Sequence, residues 1–134
     1  MVIEGLLDYV ANQSYAILLG DFNLHNVAWG CSITDSLGRC LLNFLEDRHL
    51  IICNDHKPTL LTPPDSQISV IDLIVVIPPV LTLSNCYTEL DSISSDHFPV
   101  VINLNILPCL RTTFKYKIKL NSSNKGLYSQ VNLY

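Results

Sequence analysis

Three short polar clusters stand at the ends of apolar runs in this 134-residue chain, and each carries side chains able to do chemistry. The first, Gly20-Asp21-Phe22-Asn23, follows the apolar run Tyr15 to Leu19. A carboxylate beside a carboxamide has two complementary uses on a phosphate. Asp21 can handle a proton or a water, and Asn23 can donate a hydrogen bond to a phosphoryl oxygen. Alternation in an extended segment predicts Asp21 and Asn23 on one face, with Phe22 packed on the other. Taken alone, the same three residues also fit a turn whose side chains satisfy backbone groups.

The second cluster is a single residue, Asp72, inside Ser69-Val70-Ile71-Asp72-Leu73-Ile74-Val75-Val76. A charge within so apolar a strand costs several kcal/mol unless it is paired and hydrogen-bonded. Residues 1–110 hold only Arg39, Arg48 and Lys57 as bases, so a histidine is the natural partner. The third cluster, Ser95-Asp96-His97, supplies one. A carboxylate that holds an imidazole fixes its tautomer and raises its basicity. Asp96, next in the chain, points the other way and can face a metal ion or water. A Ser-His-Asp hydrolase built on Ser95 competes for these residues. It lacks a GxSxG elbow, and Ser95 lies too close to His97 in sequence to attack easily.

The elements that must position these groups read as mainly β with helices, an α/β layered sandwich. Val2, Leu6, Leu7 and Val10 are near helical spacing, which predicts a short helix over 1–12. Tyr15 to Leu19 reads as a buried strand closed by Gly20, and Asn23 to Ser32 as a loop. Thr34 or Asp35 can cap a helix through about Asp47, with Leu37, Cys40, Leu41, Phe44 and Leu45 inward. Gly38 weakens that helix by about 1 kcal/mol relative to Ala. Leu50 to Cys53 and Thr59 to Leu61 read as short strands around an Asn54 to Pro58 turn. Ser69 to Ile77, apolar on both faces, reads as a central strand with neighbours on each side. Asn85 to Ile93 and Phe98 to Ile106 complete the set.

Composition narrows the class. With 49% hydrophobic residues the chain cannot stay disordered. Its longest apolar stretch, Val70 to Leu83, is interrupted by Asp72 and broken by Pro78 and Pro79, short of the roughly 20 residues of a spanning helix. Glu4 and Asp8 stand where a signal peptide carries positive charge, so the reading is an intracellular chain without a membrane partner. Five cysteines with no CxxC pair read as small buried hydrophobes in a reducing compartment, without cysteine-bound metal. Residues 1–110 carry a net −9 and residues 111–134 a net +5, which places a boundary near Pro108.

Together, in this order, the clusters resemble the endonuclease/exonuclease/phosphatase superfamily. They are most similar to the apurinic-type endonuclease domains of non-LTR (LINE-like) retrotransposons. The resemblance rests on Gly20-Asp21-Phe22-Asn23, His25, Trp29-Gly30, Asp35 and Gly38-Arg39 with Leu41-Leu42. Asn54, Pro58-Thr59, Val70-Ile71-Asp72-Leu73 and Ser95-Asp96-His97-Phe98-Pro99 continue it, over about Tyr15 to Asn105. It implies an α/β (α+β), four-layer sandwich of mostly antiparallel sheets with flanking helices. This chain matches the carboxy-terminal half, with residues 1–107 as that part of the domain and 108–134 as a basic, linker-like tail.

By the same resemblance Asp21 is the aspartate that handles the proton of the attacking water or leaving group, and Asn23 orients the phosphate. Asp72 positions the catalytic histidine, His97, and Asp96 lies near the divalent ion. Thr59, Ser95 and Asn54 support them, while His25 and Trp29 pack or shape loops. The cofactor implied is Mg²⁺ or Mn²⁺, since an acidic cleft needs a cation to hold a polyanion. The partners implied are the DNA backbone and a reverse transcriptase domain of a parent polyprotein, with a nuclear location. The family's early asparagine, metal-binding glutamate and phosphate-contacting tyrosine belong to the other half, so a truncated copy is expected. A non-catalytic or partner-dependent remnant and a phosphatase of the same superfamily are the alternatives. A half-sandwich also accounts for the 49% hydrophobic and 15% charged composition, and predicts exposed apolar faces that self-associate.

Overall fold

Apolar residues at helical spacing form α1 (Ile3–Ala11), which buries Leu7 and Val10. The computed structural model describes residues 3–106, so the predicted basic tail over 108–134 lies outside the described residues. After α1 the chain enters β1 (Ile17–Asp21), then a loop, then α2 (Ser36–Asp47). β2 (Ile51–Ile52), β3 (Asp72–Val76), a short α3 (Pro78–Leu81), β4 (Ser84–Thr88) and β5 (Val100–Leu104) follow. The architecture is α+β with antiparallel sheets. One sheet has the order β1-β3-β2, and β4 pairs with β5 in a second.

β3 is the central strand its composition predicts. It pairs along its length with β1, and β2 covers its other edge at Val75 and Val76. Leu73, Ile74, Val75 and Val76 are all buried, in one cluster with Leu7, Trp29, Leu41 and Leu45. Removing each such side chain from water contributes about 1.5–3 kcal/mol. That cluster makes the end of β3 a rigid base for Asp72.

Asp35 is the residue that caps α2, its Oδ1 accepting the Gly38 N–H at 2.6 Å. Leu37, expected inward, is 54% exposed, because the helix turns Gly38, Leu41 and Leu45 to the core instead. The small residue at that inward position is required. A Cβ on Gly38 would stand 2.0 Å from the His25 carbonyl oxygen, so the loop and the helix touch backbone to backbone.

Several strand boundaries differ from expectation. Thr59 to Leu61 forms only a single bridge, Leu60 to His97, because Pro58 and Pro63-Pro64 flank it and lack backbone donors. The strand expected to run to Ile93 ends at Thr88, with Ile93 and Ser94 at positive φ in a turn. Pro78 and Pro79, read as breakers, start α3, where their missing N–H groups are tolerated. Cys31 is the buried hydrophobe expected, but Cys53 and Cys86 are joined as a disulfide with Cα atoms 6.0 Å apart. That bond ties the end of β2 to β4 of the second sheet.

No helix among the described residues is long and apolar enough to cross a membrane. β1 forms an edge of its sheet and leaves Leu19 52% exposed, near a Tyr15 that is 71% exposed. A groove of about 440 Å³ runs between α1 and β1, lined by Ile3, Leu6, Leu18, Leu19, Phe22 and Leu24, and reaches Asp21.

Candidate active site

The register of β1 on β3 places Asp21 directly opposite Asp72. Like charges facing each other across a pair of strands are unfavourable unless a positive group joins them. His97 is that group. Its Nδ1 lies 2.8 Å from Asp72 Oδ2, and since a carboxylate only accepts, Nδ1 carries the proton and Nε2 remains for other work. The bond to Asp72 raises the His97 pKa above its ordinary value; burial opposes the shift, and the charges of Asp72, Asp96 and Asp21 reinforce it.

The backbone around His97 is fastened from both sides. Phe98 N–H donates to the Thr59 carbonyl at 2.8 Å, and Leu61 N–H to the Asp96 carbonyl at 2.7 Å. Thr59 in turn is fully buried, and its hydroxyl accepts the Ile71 and Asp72 N–H groups at 2.9 and 3.0 Å. One residue therefore links the segment that carries His97, through its carbonyl, to the residue that binds it, through its hydroxyl. Asn54, also buried, completes the frame by accepting the Ile74 N–H and donating to the Asp72 carbonyl, each at 2.9 Å.

The remaining predicted residues fall differently. Asn23 does not share a strand face with Asp21. It sits at φ +50°, in the left-handed region, and its N–H donates to Asp21 Oδ1 at 2.9 Å. The strand has ended, so alternation no longer applies, and it is the backbone N–H of the exposed Asn23 that meets the Asp21 carboxylate. Ser95 accepts the N–H of His97 at 3.1 Å and shapes the turn. That backbone bond, with His97 Nδ1 already on Asp72, gives no support to Ser95 as a nucleophile. Asp96 is exposed, and its carboxylate reaches His97 only through its field.

Asp21, Asp72 and His97 each offer one ligand atom, and these atoms lie within 4.8 Å of one another. Asp96, expected near the ion, is outside this group. With His97 Nδ1 committed to Asp72 Oδ2, the oxygens left are those of Asp21 and the second oxygen of Asp72. Such a set fits a hard, oxygen-seeking divalent cation better than a soft one.

Sequence reasoning missed two arrangements. Asp55 accepts the Thr88 N–H and hydroxyl at 3.1 and 2.8 Å and pairs with Lys57 at 3.0 Å. Burial opposes its ionisation, but the bonds from Thr88 and Lys57 win and bring its pKa to about 2. Its partner lies 33 residues away, and no spacing rule signals that. In the second, His25 Nδ1 lies 3.2 Å from Asp35 Oδ2, and Nε2 lies 3.3 Å from the Ser69 hydroxyl. The order looks like a hydrolase triad, but Ser69 is buried and Asp35 serves the α2 cap. The Gly38 bond is the largest cause of a lowered Asp35 pKa, against burial, with His25 adding to it. This relay fastens the loop after β1 to the segment that leads into β3.

The fold is a small α+β domain with antiparallel sheets, and the carboxylate–histidine cluster sits where β1 and β3 meet the His97 segment. A family model described as endonuclease-reverse transcriptase matches residues 2–101, and the chain belongs to that family. Among solved structures it is similar to the endonuclease domain of TRAS1, a telomere-specific non-LTR retrotransposon. Identity is 26% and the TM-score 0.64, over 78% of this chain and 52% of that one. It shares the fold of the 3′-5′ exonuclease NExo from Neisseria meningitidis, at 20% identity and TM-score 0.62, over 78% of this chain and 51% of that one. The 3′ phosphatase NExo from Neisseria, bound to a product DNA hairpin, matches at 20% identity and TM-score 0.61, over 77% of this chain and 50% of that one. The chain thus spans about half the length of the solved structures it matches. No curated protein sequence matches it.

Proposed function

We propose that this chain supplies the Asp21–Asp72–His97 half of a divalent-metal-dependent DNA endonuclease active site, as part of a retrotransposon polyprotein that also carries a reverse transcriptase. The observation that carries the reading is the convergence of those three side chains within 4.8 Å, in a chain of the endonuclease-reverse transcriptase family. Its likeness to the endonuclease domain of a telomere-specific non-LTR retrotransposon supports DNA as the substrate. A nuclear location follows from that role.

In this reading Asp21 accepts the proton of the attacking water, and Asn23 donates a hydrogen bond to a phosphoryl oxygen. Asp72 holds His97 by Nδ1, so that Nε2 faces the phosphate with positive charge available. Asp21 and the second oxygen of Asp72 would hold Mg²⁺ or Mn²⁺. When bound, the ion supplies charge neutralisation between the carboxylates and the phosphodiester. Asn54, Thr59 and Ser95 position these groups through the backbone, and Asp96 adds field rather than a ligand.

A domain in which residues 3–106 replace the matched half of the TRAS1 endonuclease should nick supercoiled plasmid only with Mg²⁺ or Mn²⁺. A preference for phosphate monoesters in the same assay would favour a phosphatase instead. The apolar groove beside Asp21 and the exposed Leu19 favour a second reading, a truncated, non-catalytic copy that self-associates or acts only against a partner. Saturable Mg²⁺ binding and nicking by a monomer of the isolated chain contradict that second reading.

A further inference from the structure

Residues 53–55 form a two-pronged fastening between the sheets. Cys53 is bonded to Cys86, and Asp55 accepts both the N–H and the hydroxyl of Thr88, so the two prongs cross to β4 two residues apart on each side. Both span a sequence separation of 33 residues. Between them Asn54 turns the other way, onto the Asp72 carbonyl and the Ile74 N–H. Successive side chains of an extended segment point to opposite sides, so two fastenings to β4 direct the middle residue at β3. β2 itself holds only two residue pairs with β3, and Cys53 N–H adds one bond to the Ile74 carbonyl at 3.0 Å.

We propose that the Cys53–Cys86 disulfide is a redox-cleavable latch that sets how firmly Asn54 holds the backbone of Asp72. Both cysteines are half-buried, within reach of a small thiol of the glutathione class, whereas Cys31 is buried. Opening is ordinary thiol–disulfide exchange. One external thiolate attacks a sulfur of the pair, forming a mixed disulfide and releasing the other cysteine, which takes up a proton. A second external thiolate then attacks the external sulfur of the mixed disulfide and expels the remaining protein cysteine, which takes up a proton. Two external thiols become one external disulfide, and the protein gains two thiols. With the latch open, only the Asp55–Thr88 prong remains, and the Asn54 amide can swing off the strand end. The latch does not depend on the nuclease reading; in that reading it governs the residue that orients His97.

The test uses the whole chain, purified without reductant. Alkylation and peptide mapping should find Cys53 linked to Cys86 and Cys31 free. Amide exchange at Ile74, measured by NMR in oxidised and glutathione-reduced protein, should quicken at least 10-fold on reduction. Exchange at Gly38, whose N–H serves the distant α2 cap, should stay within about twofold. A Cys53→Ser/Cys86→Ser variant should show the reduced rate under both conditions. If it fails to fold, reversible reduction and reoxidation of the parent give the same comparison. Free thiols at both positions, or equal Ile74 exchange in the two forms, would overturn the proposal. None of these readouts involves DNA cleavage, so failure of the nuclease reading is separately visible.

Discussion

The side-chain amide of Asn54 stands in for a strand residue beside Asp72: its Nδ2 donates to the Asp72 carbonyl at 2.9 Å while its Oδ1 accepts the Ile74 N–H at 2.9 Å. β2 stops two residues earlier, and without Asn54 the buried edge of β3 would keep two unpaired backbone groups. Leaving such a group unsatisfied costs about 1–3 kcal/mol. Asn54→Ala should therefore lower stability by about 2–4 kcal/mol in urea denaturation, and Asn54→Asp should lose at least as much at neutral pH, since it buries a carboxylate and sets an oxygen against the Asp72 carbonyl.

Gly38→Ala tests a conflict of scales. Helix propensity alone gives a gain of about 1 kcal/mol for Ala in α2. The new Cβ would meet the His25 carbonyl oxygen at 2.0 Å, and overpacking of that kind costs about 1–3 kcal/mol or more. The clash wins, so thermal unfolding should show a net loss.

Asp55 gives the fold an acid limit. Its folded pKa of about 2 lies below the ordinary 3.8, so its contribution is present above pH 3.8 and disappears as the pH falls through 2. At 1.36 kcal/mol per unit this amounts to about 2 kcal/mol. Asp55→Asn should be less stable than the parent at pH 6, and the gap should close towards pH 2 in denaturation midpoints.

His97 works in the opposite direction. Its pKa is raised above 6.5, so the stability it adds is fully present below that value and is lost as the pH rises through the higher folded value. In chelated buffer the parent should lose stability from pH 6 to 9 relative to His97→Gln. Equal slopes for the two proteins would remove the Asp72–His97 bond from the account.

Much of the site is legible in the sequence because chemistry and pattern coincide there. Asp72 is conspicuous as the one charge in an apolar strand, and the scarcity of lysine and arginine leaves histidine as its partner. Asp21 sits where an apolar run ends. β3 is recognisable as central because it is apolar on both faces. What escapes is held by side chain-to-backbone bonds between distant residues. Thr59 reads as a strand residue because Thr favours strands, yet its hydroxyl is spent on the Ile71 and Asp72 N–H groups. Asn23 aligns with Asp21 only under an alternation that stops at the strand end, where its positive φ begins. Asp55 and Cys53 find their partners 33 residues on, across a contact between sheets that only the tertiary fold creates.

The central claim is that Asp72-held His97 works on a phosphodiester. The most direct measurement compares plasmid nicking in Mg²⁺ by the domain carrying residues 3–106 with that of its His97→Ala variant. Loss of a positioned proton-handling side chain removes about 10²–10⁴-fold of rate. The account predicts a fall of at least 10²-fold with the fold intact; nicking by the variant at the parent's rate would contradict it.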